Sequence, residues 1–120
     1  MPADDAPKPA IWATIDTMPS ISPFPGVTMW PATGTNMMIN FVRIAPGVEI
    51  PLHHHPHEQG GSVIEGSILM TIDGETREMY PGDLYIAPPE SVHGVIAGPE
   101  GCLVLDVFSP PREDYITLGE

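Results

Sequence analysis

Apolar residues in this chain recur in short runs, often at alternate positions, and each run is bounded by glycine, proline or acidic turn residues. That is the pattern of half-buried β-strands, not of helices. Strands are predicted over residues 27–30, 37–44, 61–64, 67–72, 76–80, 84–86, 93–96 and 103–108. Glu65-Gly66 and Asp73-Gly74 read as turns between them, Asp-Gly being a strong hairpin signal, and Pro46-Gly47 and Pro81-Gly82-Asp83 mark further tight turns. Residues 11–17 read as an edge strand and residues 20–25, with Pro23 and Pro25, as loop. Residues 1–9 read as a flexible arm ahead of one domain over residues 10–120. No helical period of useful length occurs, and the Met37-Met38-Ile39 cluster reads as core. The expectation is an all-β single domain, a sandwich, jelly roll or barrel.

Composition sharpens this. Sixteen prolines and twelve glycines in 120 residues suit a chain of many turns and rule out a helical bundle. A net charge of -12, with Lys8, Arg43, Arg77 and Arg112 as the cations, excludes nucleic acid and anionic membrane surfaces as partners. An anionic small ligand therefore needs a local cation, either a metal or a placed arginine. The one cysteine, Cys102, excludes an intramolecular disulfide and sits in an apolar run, where it reads as a small buried hydrophobe. The first ten residues lack the apolar stretch of a signal peptide, and no segment has the length of a membrane span. A cytoplasmic protein is expected.

Four of the five histidines fall together, at positions 53, 54, 55 and 57. Residues two apart on a strand share a face, so His53 and His55 point one way and His54 the other. Two imidazoles so placed are a natural pair of ligands for a borderline divalent metal. His57 has the right parity, but Pro56 interrupts the strand; support of the site from behind, or a loop cap, is the expected role.

The surrounding spacing is informative. Gly47, His53-x-His55, Gln59 and Gly66 follow the first cupin motif, and Gly82, Pro88-x-Glu90 and His93 follow the second. The chain thus resembles the cupin superfamily from about Met37 onward. The resemblance implies a double-stranded β-helix (a cupin or jelly-roll barrel) with one divalent transition metal held by His53, His55, Gln59 and His93. Zinc, nickel, manganese and iron all suit such a set. Three positions depart from the family pattern: Gln59 stands for glutamate, Glu90 for glycine and Ala97 for asparagine. Gln59 brings no charge, so an ion there keeps its full charge, which favours Lewis-acid chemistry and anion binding over oxygen activation. Small cupins are commonly dimers, and a homodimer is expected.

Asp106 interrupts the apolar run of residues 102–108. It reads equally as an ion-pair partner of Arg43 or Arg112 and as a general acid/base beside the metal. The tail from Asp106 to Tyr115, taken with Leu52 to Gln59, is similar to the pectin-degradation, KdgF-type cupins. These open the ring of 4,5-unsaturated uronates and also carry glutamine among their ligands. The resemblance implies Asp106, Phe108 and Arg112 as active residues, a small anionic sugar as substrate and a non-redox reaction. A cupin dioxygenase and a non-catalytic sugar- or metal-binding module are the alternatives. Tyr115 reads as packing.

Overall fold

Eight strands and one short helix account for the regular structure of residues 8–119, which the computed structural model describes. In chain order they are β1 (Ile21–Phe24), β2 (Val27–Thr33), β3 (Met38–Ile44), β4 (Glu49–His53), β5 (Glu58–Ile72), β6 (Glu75–Met79), β7 (Leu84–Ala87), β8 (His93–Ser109) and α1 (Glu113–Leu118). All pairings are antiparallel. The long strands β5 and β8 are common to two layers. Their Glu58–Val63 and Val104–Ser109 halves join β3 on one side and β7 on the other, while their further halves join β4 and β6. The chain is therefore an antiparallel β-barrel of two layers that share β5 and β8, as the resemblance implied. Its interior holds Val27, Met38, Val42, Ile44, Val63 and Phe108, each at most 2% exposed.

Several expectations need correction. Glu65-Gly66 is no turn: the predicted strands 61–64 and 67–72 are one strand with a bulge at Gly66, and 93–96 and 103–108 likewise merge into β8. Gly66 (φ +74°) lies against the backbone of Gly101 (φ +75°), and a Cβ there would overlap the Gly101 carbonyl. These two close-packed glycines let both strands bend together and pass between layers, and the ladder shifts register at the bend before it resumes at Ile68 and Ala97. Residues 20–25 are not loop, because β1 lies at the sheet edge, where Pro23 removes no ladder bond that a neighbour needs. Residues 11–17 form no strand: Ile11 and Trp12 are 62% and 90% exposed, and the chain instead turns at Thr14, whose carbonyl takes the amides of Thr17 and Met18. Of the methionine cluster, Met38 alone is core. Helix α1 was not foreseen; six residues are too few for a period to show. The arm expected over residues 1–9 lies, for residues 1–7, outside the described residues.

Glu90 has φ +65° at the position where the second cupin motif carries glycine. Its carboxylate faces His54 Nδ1 at 3.2 Å on the surface, a contact too exposed to offset the backbone strain. Glu90→Gly is expected to raise stability by about 0.5–1 kcal/mol in chemical denaturation. An unchanged or lower midpoint would show that residue 90 bears no such strain.

Candidate metal centre and cavity

His53, the last residue of β4, lies opposite His93, the first of β8, in the strand register. His55 follows on the loop after β4, and Gln59 enters at the start of β5, where its cross-strand partners are Ala87 and Phe108. The three imidazoles offer ligand atoms within 4.8 Å of one another, and Gln59 Oε1 lies 3.1 Å from both His55 Nε2 and His93 Nε2. The four residues named from the motifs are thus brought together.

The hydrogen bonds behind the rings explain what this cluster is fitted for. His53 Nδ1 faces the Pro51 carbonyl at 2.8 Å, His55 Nδ1 the His57 carbonyl at 3.0 Å and His93 Nδ1 the Ser91 carbonyl at 2.9 Å. A carbonyl only accepts, so each Nδ1 carries the proton and each Nε2 a bare lone pair. Three such lone pairs and an amide oxygen converge with no proton between them, an arrangement that a cation relieves. Burial, aided by the Arg112 charge, pushes the His55 pKa down to about 4, and burial lowers that of His93. Both rings are neutral near pH 7, as ligation requires. The donors are nitrogen and neutral oxygen, which suits a borderline divalent ion.

His54 points outward, as its parity predicts. His57 is buried and behind the site: its carbonyl orients His55, and its Nε2 faces Glu113 Oε2 of α1 at 3.3 Å.

A cavity of about 290 Å³ opens beside this cluster, a size for one small molecule. Its wall is mostly apolar, with His53, Gln59, His93, Tyr85, Asp106, Arg112 and Tyr115 as the polar exceptions. Asp106, Phe108 and Arg112 all line it. The ion pair considered for Asp106 does not form. Arg43 faces Glu65 at 3.7 Å, and the Arg112 Nε and Nη2 bonds go to Asp114 at 3.0 and 2.8 Å. The partner of Asp106 is Tyr85, whose hydroxyl donates to Oδ1 at 2.6 Å. Burial pushes the Asp106 pKa up to about 6, against the lowering effect of that bond. The Arg112 Cζ lies 4.3 Å from the Tyr115 ring centre and 5.2 Å from that of Phe108. Tyr115 is therefore more than packing, because it is one face of the arginine's clamp.

Sequence reasoning missed Tyr85 altogether. Alternation along β7 sets it apart from Leu84 and Ile86, but both of those are apolar and yet outward, so the pattern gave no clue to which face was inside.

Residues 40–108 match the Cupin domain family. The pectin degradation protein KdgF of Dickeya dadantii is 37% identical over 82 residues, which are 68% of this chain and 74% of that protein. The solved structure of KdgF from Halomonas sp. superposes with a TM-score of 0.83 at 30% identity, covering 88% of this chain and 98% of that one. An RmlC-like cupin from Shewanella frigidimarina superposes with a TM-score of 0.83 at 26% identity, covering 89% of this chain and 96% of that one.

Proposed function

We propose, from the premise that this chain belongs to the Cupin domain family and to its KdgF type, that it is a metal-dependent enzyme opening the ring of 4,5-unsaturated uronates. The observation that carries this is a cluster of three bare Nε2 atoms and the Gln59 oxygen, of which His53, His93 and Gln59 line a cavity that also holds Asp106 and Arg112. A zinc, nickel, manganese or iron ion held by His53, His55, Gln59 and His93 would supply a Lewis acid for substrate oxygens.

The chain's own residues account for the remaining steps. Ring opening moves one proton from the anomeric hydroxyl, frees the ring oxygen as an enol and protonates carbon to give the keto form, with no change of oxidation state. Asp106, with a pKa near 6, both takes and returns a proton at neutral pH. Tyr85 occupies Oδ1, the Gln59 amide also faces the carboxyl, and Oδ2 is the oxygen assigned to that transfer. Arg112 meets the substrate carboxylate through its remaining Nη1 edge, since Asp114 already holds the Nε and Nη2 side of the fork. Phe108 and the aliphatic wall exclude water and pack against the sugar ring. The test is the ultraviolet absorbance of a 4,5-unsaturated uronate. Its loss should outrun the spontaneous rate in the presence of the protein, and equal rates would remove the reading. Oxygen uptake with a flavonol or diketone would favour a dioxygenase, and saturable sugar binding without turnover a binding module.

The proposal includes a cytoplasmic homodimer. Buried Cys102, its thiol pushed up to about 11 by burial, needs no oxidising compartment. Among the described residues no helix is long and apolar enough to cross a membrane. The outer face of the β3–β8–β5–β7 layer carries two apolar rows, Ile39 with Val107 and Ile86, and Phe41 with Leu105 and Leu84. Ile86 and Leu84 are 68% and 77% exposed. Two copies at -12 each repel least where they meet over such an uncharged face, which makes a second copy the fitting occupant. Leu84→Asp with Ile86→Asp is expected to turn a dimer into a monomer in sedimentation; a wild type that sediments as a monomer would end this part.

A further inference from the structure

We propose that Tyr85, seated over Gly61 between Gln59 and Asp106, is a positioning residue that decides which end of the Gln59 amide faces the three histidines. The proposal rests on reading His53, His55, Gln59 and His93 as a metal site.

A glutamine amide has two ends of nearly equal shape and opposite hydrogen-bonding sense. Only the oxygen end serves a cation. The histidines themselves favour the wrong end before a metal arrives. The bare Nε2 atoms of His55 and His93 would readily accept hydrogen bonds from an NH₂ group turned toward them. Something must hold the amide the other way, and glutamate, whose two oxygens are alike, would not have needed it.

Tyr85 supplies that constraint through a single proton. Its hydroxyl donates to Asp106 Oδ1 at 2.6 Å, so the phenol oxygen is left as an acceptor, and Gln59 Nε2 donates to it at 2.7 Å. A reversed amide would set Gln59 Oε1 against an oxygen whose proton is already committed to a carboxylate.

The seat for this relay is built into the ladder. Gly61 of β5 has Tyr85 of β7 as its partner on one side and Asp106 of β8 on the other. The two side chains meet above the glycine. A Cβ at position 61 would lie 2.7 Å from Asp106 Oδ1 and 2.8 Å from Tyr85 Cζ, closer than either atom tolerates. The neighbours of Tyr85, Leu84 and Ile86, point outward, so the hydroxyl is the polar group that β7 sends inward.

The test uses the whole protein, stripped of metal and titrated with Co²⁺, whose visible d–d bands report both affinity and ligand set. Tyr85→Phe should weaken Co²⁺ binding about tenfold, the lower end of what partners behind metal ligands contribute, and should shift the bands. In the Gln59→Glu background the same substitution should cost less than about twofold, because a carboxylate has no wrong end. Equal losses in both backgrounds, or none in either, would overturn the proposal. A wild type that binds no Co²⁺ would instead overturn the metal reading on which it rests. A second measurement needs no variant. In isotope-labelled metal-free protein the Gln59 side-chain NH₂ protons should show nuclear Overhauser contacts to the Tyr85 ring. Contacts to the His55 and His93 rings in their place would show the amide reversed.

Discussion

Asp106→Asn should lower turnover of an unsaturated uronate by about 10²–10⁴-fold while making the metal-free protein more stable at neutral pH. Both effects have one origin. The carboxyl is buried, and its pKa lies at about 6 in place of 3.8. A raised folded-state pKa means that the group's favourable contribution is complete below pH 3.8 and is lost as pH rises through about 6. Above that, the ionised carboxylate costs up to about 3 kcal/mol, a shift of roughly two units. Asparagine keeps an acceptor for the Tyr85 hydroxyl and never ionises, so the variant should gain most above pH 6 and little near pH 4. His55 works in the opposite sense. Its pKa is lowered to about 4, so its contribution is present above 6.5 and lost as pH falls through about 4. In metal-free wild type the two slopes oppose each other over that window, whereas in Asp106→Asn the histidine slope is no longer opposed by this carboxyl and stability should fall more steeply on acidification. Denaturation midpoints between pH 4 and 8 measure this. Wild-type turnover in the variant would take Asp106 out of the reaction, and parallel pH curves would show that its ionisation does not burden the fold.

His93→Ala is expected to abolish metal retention. His93 is 2% exposed and is the candidate ligand on β8, opposite His53 in register. Elemental analysis of protein purified without a histidine tag should fall from about one ion per chain to about none, and catalysed ring opening should stop with it. The barrel itself should persist, since the deletion lies at the cavity wall and not among the packed residues around Val42 and Val63. A ligand that binds only the folded state adds about 2.7 kcal/mol at a hundred times its dissociation constant. Metal should therefore raise the melting temperature of wild type and leave that of His93→Ala unmoved. Stoichiometric metal in the variant would place the ion elsewhere, with His54 and His57 as the next donors to test.

Much of the site was legible in the sequence because its information is local. His53 and His55 sit two apart beside a turn, Gln59 and His93 fall at the motif spacings, and the alternation after Cys102 groups Val104, Asp106 and Phe108 on one face, which the fold turns inward and buries. What was hidden depends on neighbours distant in sequence. Gly66 looks like a turn residue until the Gly101 backbone is found packed against it, and the two together make a bend. Tyr85 was hidden by Leu84 and Ile86, which are apolar yet outward, an inversion of the usual strand code. The partner of Asp106 was sought among the cations, but Arg43 and Arg112 each have a nearer acid, Glu65 and Asp114. Helix α1 is held by the burial of Tyr115 and by the reach of Glu113 to His57, neither of which leaves a period in the chain.

The crossing above Gly61 also constrains how this protein can have changed over time. A side chain at position 61 has no room while the Tyr85 ring and the Asp106 carboxylate meet there. An ancestor could acquire alanine at 61 only after position 85 had become smaller, and it could regain tyrosine at 85 only after glycine had returned. The two positions should therefore vary together among relatives, and the order of those substitutions is set by steric exclusion.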